Sequence, residues 1–351
     1  MSDRARLRAF LALCVARLRE YYREPEVLFW GFIFPVLLSA ALAVAFRDRP
    51  PEPSRAAVLS GPGAERILAA LKRAPLVRAE AVGEAEAARA LRMGRADVVV
   101  VPSGGADWLV EYRLDPSRPE ADVARSRIDD ALQRAAGRSD PLKARDMAVS
   151  EPGGRYVDFL VPGLIGMNLM SAGMWGVGYA LVDMRIKKLL RRLLATPMHA
   201  ADFMAAQMTT RVLFTFVEVG CLLGFARLVL GVPVRGSIAA VVAVALVGSL
   251  TFAGVGLAIA ARPRKIETVT GLMNLVMLPM FVGSGVFFSV DRFPQVVQPA
   301  LRALPLTALN DALRGVMIDG ASLASVAGEV GLLAAWGAAA FAAALYLFRW
   351  T

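Results

Sequence analysis

Six stretches of this chain come close to the length of helix that crosses about 30 Å of hydrocarbon, roughly 20 residues. They run over 26–46, 156–182, 209–230, 237–261, 266–290 and 329–348. No other feature limits the fold as much. In hydrocarbon every backbone polar group must be bonded within the protein, so apolar runs of this length are read as helices. Composition agrees, since 56% of the 351 residues are hydrophobic, more than a soluble chain with a largely polar surface needs. Gly and Ala are frequent in the runs, as expected where helices pack closely in lipid. The third run differs from the others in holding Glu218 and Arg227. The expected fold class is an α-helical polytopic membrane protein with six transmembrane helices.

The net charge is +10. A basic balance can serve nucleic acid, an anionic membrane surface or acidic partners. Here the basic residues stand beside the apolar runs, and no zinc finger or basic-aromatic RNA motif is present. Membrane lipid is therefore the expected partner, and nucleic acid is not. The N-terminal segment has six arginines. The loop after the second run has Arg185, Lys187, Lys188, Arg191 and Arg192, and the loop after the fourth has Arg262, Arg264 and Lys265. The loop after the third has only Arg235. With six spans, all the dense basic loops fall on one side, which places both termini in the cytoplasm. The N-terminus has no small-residue cleavage pattern, so the first run is expected to stay as an anchor. Two cysteines, Cys14 and Cys221, make no disulfide framework, and a single histidine, His199, makes no metal site.

Residues 1–25 read as a cytoplasmic interfacial helix. Leu7, Leu11, Cys14, Leu18 and Tyr21 recur at helical spacing, and Pro25 ends it. Residues 26–46 are the first transmembrane helix. Residues 47–155 are different in kind. Short β-like runs at Ala56–Leu59, Leu76–Val82, Val98–Val101 and Trp108–Leu114 alternate with helical stretches at Gly63–Arg73, Glu84–Met93 and 120–136. This predicts a small α/β extracytoplasmic domain, joined to the first span by a stiff linker of Pro50, Pro51 and Pro53. Residues 156–351 then carry spans two to six. After the fifth, the segment 291–319 is broken by Pro294, Pro299 and Pro305 and is too short in each piece to cross. It is read as dipping into or lying on the outer leaflet.

The loop after the second span carries the most information. Over 184–197, Ile186, Leu189, Leu190, Leu193 and Leu194 make an apolar stripe between basic residues, and Pro197 stops the helix. Such a helix can dock in a groove of a cytoplasmic partner, or it can be held by anionic lipid.

This segment, ending Leu194-Ala195-Thr196-Pro197, resembles the cytoplasmic loop of ABC-2 type ABC transporter permeases. Phe159-Leu160-Val161-Pro162-Gly163-Leu164 is similar to that family's second-span opening. Ser284-Gly285-Val286-Phe287-Phe288, continuing through Phe293-Pro294 and Leu304-Pro305-Leu306-Thr307 to Asp311-Ala312-Leu313-Arg314, looks like its fifth-span end and outer re-entrant segment. The three stretches stand in the family's order, and the resemblance covers most of the chain. The insert matches only in position and in its general α/β pattern. Many members have an acidic residue and a Gly-Thr pair before the basic run, where this chain has Ile186-Lys187-Lys188. That departure leaves the subfamily and the substrate open.

The resemblance implies a type V exporter-like bundle in a bacterial inner membrane, paired with a second permease copy or a close relative. It also implies a cytoplasmic ABC ATPase subunit that binds ATP and Mg. The chain has no Gly-Lys dipeptide and so no phosphate loop of its own; no cofactor and no catalytic residue is expected in it. By the resemblance, Arg185, Lys188, Arg191, Arg192, Leu194, Thr196 and Pro197 would meet the ATPase subunit. Phe287, Phe288, Pro305 and Arg314 would form an outer gate.

Glu218, mid-span, is either a substrate or ion contact, a partner for a polar group on a neighbouring helix, or a carboxyl kept neutral. Asp183, Arg211 and Arg227 sit near span ends and are read as snorkelling residues. Asn168 and Asn274 are read as hydrogen-bonding between helices. Met167, Met170 and Met174 are read as packing. The leading function is the membrane subunit of an ATP-driven exporter of an amphipathic or lipid-like substrate. The alternative is a non-transporting membrane anchor for an outer sensing or envelope-assembly domain.

Overall fold

A computed structural model describes residues 10–16, 19, 23, 25–45, 52–103, 108–142, 154–189 and 200–347. It divides into two compact units, one of Met1–Arg47 with Ser150–Thr351 and one of Asp48–Val149. Residues 10–16 are helical, and the rest of the expected interfacial helix lies mostly outside the described residues. The first long helix, α1 (Phe29–Ala45), continues from a helical Pro25–Leu28 and is π-helical over Phe29–Ile33.

The second unit alternates strand and helix. β1 (Ser54–Leu59) is followed by α2 (Ala64–Arg73), β2 (Val77–Val82) and α3 (Glu84–Arg92). Then come β3 (Val98–Pro102), β4 (Val110–Arg113) and α4 (Pro119–Ala135). The sheet order is β2-β1-β3-β4, with β2, β1 and β3 parallel and β4 antiparallel to β3. Period-two alternation sorts the side chains. Val58, Val98 and Val100 face Ile67 and Leu71 of α2 and Ile128 and Leu132 of α4. Ala57 and Val99 face Ala87 and Ala90 of α3. β3 is an unbroken valine run because both of its faces are covered. Tyr112 of β4 donates to Asp129 of α4 at 2.9 Å. Burial, and then that bond, push its hydroxyl pKa above the ordinary tyrosine value.

The remaining helices belong to the first unit. They are α5 (Tyr156–Ile186), α6 (Ala200–Leu228), α7 (Ile238–Ala260) and α8 (Ile266–Gly283). The short α9 (Gln298–Arg302) and α10 (Pro305–Met317) precede α11 (Ala327–Leu347). Among the described residues, α5, α7, α8 and α11 are the four helices long and apolar enough to cross a membrane. α1 is apolar but shorter. α6 has 29 residues, and Arg211, Glu218 and Arg227 set it apart from those four.

α7 is the hub, packing against α5, α6, α8, α10 and α11. Backbone meets backbone where it crosses α5. A Cβ on Gly178 would stand 2.5 Å from the Gly256 carbonyl oxygen, and one on Gly173 would stand 2.9 Å from the Ala253 nitrogen. Glycine is required at such a crossing, and its close approach gives the dispersion that holds helices together in lipid. Met170 and Met174 are fully buried beside it, as ordinary packing.

Several boundaries differ from those expected. The second span continues to Ile186, so Met184 and Arg185 belong to it and not to a separate helix. The backbone then reverses at Lys187 and Lys188, the latter at φ 59°. The fifth span stops at Gly283 instead of 290, because Gly285 takes φ 72° and turns the chain. The segment 291–319 contains one helix longer than expected. α10 has 13 residues with Leu306, Leu309, Leu313 and Val316 buried in the bundle. Pro305 starts this helix instead of interrupting it, since proline at the first turn gives up no intrahelical bond.

Candidate functional site

Three places in the first unit carry polar chemistry. The first is the end of α5 at Ile186. Arg185 was expected on the charged side of a docking helix, but it turns inward. Its Nη1 donates to the carbonyls of Ala260 at 3.0 Å and Pro263 at 2.7 Å, and its Nη2 donates to that of Ala261 at 3.2 Å. These carbonyls lie at the end of α7, where a helix has no donors of its own for them and a cation is favoured. Asp183 pairs with Lys187 at 2.8 Å. Lys188, Ile186 and Leu189 are exposed. Arg191, Arg192, Leu194, Thr196 and Pro197 lie outside the described residues.

The second place is the middle of α6. Glu218 is held by both arms of Arg211, at 3.0 and 2.9 Å. Arg211 Nε donates to Ser249 Oγ of α7 at 2.8 Å, and that oxygen lies 2.6 Å from Thr215 Oγ1. Arg211 and Glu218 are each 2% exposed. Arg211 therefore does not snorkel. Residues 211, 215 and 218 share one helix face, which turns inward, and the fork geometry of guanidinium and carboxylate neutralises both charges. Among the described residues Glu218 is thus paired with Arg211 of its own helix and not with a polar group on a neighbouring one; Arg211 makes the link to α7 through Ser249. Sequence reasoning missed Thr215 and Ser249. The seven-residue spacing of Arg211 and Glu218 was the signal available.

Asn168 Nδ2 donates to the Gly31 carbonyl at 3.3 Å and so joins α5 to the π-helical turn of α1. Among the described residues Asn274 does not bridge helices. It is exposed on α8, and its side chain makes no hydrogen bond among the described residues.

The third place is the segment after α8, residues 284–317. Arg314 of α10 lies over the Phe159 ring at 3.7 Å, donates to the Phe159 carbonyl at 3.3 Å and also donates to the Gly285 carbonyl. Asp311 is 3.6 Å away. Arg314 thus joins α10, the start of α5 and the turn after α8. Pro305 is buried, Phe287 is half-buried with its carbonyl accepting from Tyr156 at 3.0 Å, and Phe288 is exposed. A cavity of about 500 Å³ opens beside Arg314, lined by Phe159, Asp291, Arg302, Asp311, Arg314 and Glu329. Of Phe287, Phe288, Pro305 and Arg314, Arg314 alone lines this cavity among the described residues. Among the described residues no group of His, Cys, Asp or Glu could hold a metal ion.

A bundle of long apolar helices, with buried charge neutralised inside it and an α/β unit inserted, defines a multi-pass membrane protein. A family model described as ABC-2 family transporter protein matches residues 25–346, and the chain belongs to that family, the permeases of ABC transporters. It is 27% identical over 176 residues to the linearmycin resistance permease protein of Bacillus subtilis, covering 50% of this chain and 46% of that one. To nodulation protein J of Rhizobium meliloti it is 25% identical over 262 residues, covering 72% of this chain and 96% of that one. To an inner membrane transport permease of Escherichia coli it is 28% identical over 175 residues, covering 50% and 47%. The match to the Bacillus protein thus spans under half of that relative's length.

Proposed function

We propose that this chain is the membrane-spanning permease subunit of an ATP-binding cassette exporter, which moves an amphipathic or lipid-like substrate outward. The observation that carries this reading is the family match over 25–346 in a chain with no phosphate loop of its own. Energy then comes from a separate ATPase subunit that binds ATP and Mg. In this reading α1 and α6 join the four apolar helices to make six spans, with the basic loops and both termini in the cytoplasm of a bacterium. α6 can be a span because its buried charges cancel. Two copies, or this chain and a close relative, pair to form the pathway. Lys188, Arg191, Arg192, Leu194, Thr196 and Pro197 meet the ATPase subunit, with Arg262, Arg264 and Lys265 as a second contact. Phe287, Phe288, Pro305 and Arg314 close the outer mouth.

Co-purification tests this. Changing Arg191 and Arg192 together to Glu should abolish ATPase-subunit binding and the hydrolysis the permease stimulates. If both persist, the docking assignment is wrong. The self-contained core of the Asp48–Val149 unit favours one other reading, a membrane anchor for an outer sensing domain. Tight ligand binding by a fragment of residues 50–152, with no ATPase partner for the full chain, would support that reading instead.

A further inference from the structure

The helices α5 and α7 touch backbone to backbone at Gly173 and again at Gly178 with Gly256. Beyond Gly178, α5 has a little over two turns left before it ends at Ile186. Over that stretch there is no glycine to let the backbones touch, and the larger side chains of Leu181, Val182 and Met184 are buried. Without a tie, the two cytoplasmic ends are free to splay. Arg185 supplies that tie with three hydrogen bonds to the last carbonyls of α7 and the turn after it. A planar guanidinium fork can span several carbonyls at once, which one ammonium cannot match. Immediately after the tie, Lys188 takes the left-handed conformation, a reversal that separates α5 from whatever follows. For a non-glycine residue that backbone costs about 1 kcal/mol or more and persists only where the surroundings hold it.

We propose that Arg185 is a positioning residue that locks the cytoplasmic end of α5 to that of α7, so that a load arriving on the 184–197 loop is passed to α7. It is not itself a contact for the ATPase subunit. α7 is the receiver that matters, because it packs on every other long helix of the 150–351 segment. The inference rests on the proposed reading for where the load comes from, but the tie between the two helix ends stands on its own geometry.

The test is hydrogen exchange on the full chain with its ATPase subunit, with and without a trapped ATP analogue. Two regions are followed, residues 183–189 and residues 256–264. In the unaltered protein, both should change together on trapping. In Arg185→Gln the ATPase subunit should bind with unchanged affinity and the 183–189 change should persist, while the 256–264 change is lost. Arg185→Lys should restore part of it, and this variant carries the comparison if Arg185→Gln fails to accumulate. Persistence of both changes in Arg185→Gln overturns the proposal. Loss of ATPase-subunit binding also overturns it, since Arg185 would then be a docking contact. If the unaltered chain binds no ATPase subunit, the exporter reading fails separately. The nucleotide-free comparison then decides the tie: faster exchange at 256–264 in Arg185→Gln supports it, and unchanged exchange overturns it.

Discussion

Arg211 and Glu218 show how a helix with charges in its middle can remain inside a hydrophobic bundle. Each charge alone would carry a desolvation cost of several kcal/mol, and their bidentate pairing with Ser249 and Thr215 offsets it. Removing one partner therefore costs far more than removing both. Arg211→Met should destabilise the chain by about 3–5 kcal/mol, because it leaves a buried carboxylate unpaired. Glu218→Gln keeps an acceptor for the guanidinium and should cost less. The double variant Arg211→Met/Glu218→Leu should recover most of the loss. Thermal unfolding in detergent across this cycle checks the order, and a double variant as unstable as the worse single one would contradict it. The pair also explains why Glu218 was legible as important while its role was not. The sequence shows a costly residue, but it does not show which way the helix face turns. Arg211 was misread for the same reason, since nearness to a span end suits snorkelling only if the side chain points outward.

At the scale of elements, the strand and helix alternation of the insert was readable almost residue by residue. Its periods of two and 3.6 are strong, and each helix begins or ends at a glycine or proline. The membrane helices were less readable at their ends than in their middles. Hydropathy marks which residues suit lipid, and the chain can leave the helix while still apolar, as it does at Gly283. It can also continue helical into polar residues, as it does through Asp183 and Arg185. The burial of α10 was not legible either, because its apolar face looks the same whether it meets lipid or protein. The α5–α7 crossing was signalled only as a general richness in Gly and Ala, which does not say which glycines meet, because they matter for the absence of a side chain. Gly178→Leu should force these helices apart and cost about 1–3 kcal/mol by overpacking, or more if the backbone cannot shift. Gly224→Ala on α6, with open space around it, should be neutral or slightly stabilising and serves as the control. Equal melting temperatures for the two variants would remove α5–α7 contact as a determinant of the fold.

For the whole molecule, the two compact units should respond to solution conditions independently. The Asp48–Val149 unit holds Tyr112 with its hydroxyl half-buried and bonded to Asp129. Its folded pKa lies above the unfolded value, so the neutral form is favoured by folding. The stabilisation is fully present below an unfolded tyrosine pKa of about 10 and is lost as pH rises beyond it. A fragment of residues 50–152 should therefore melt at lower temperature as pH rises above about 10. Tyr112→Phe should flatten that dependence while lowering the melting temperature near neutrality. An unchanged alkaline slope in Tyr112→Phe would show that other groups govern it.

One further consequence follows from the π-helical segment at Met174–Tyr179 in α5. A π turn takes in one residue more than an α turn, so it acts as an insertion that advances everything after it by about 100° around the axis. The Arg185 side chain finds the end of α7 only with that extra residue in place. Losing one residue anywhere in 174–179 would leave the composition and hydropathy of the span almost untouched. It would also re-aim the end of α5 at Ile186, so the length of this segment is constrained as well as the glycine at 178.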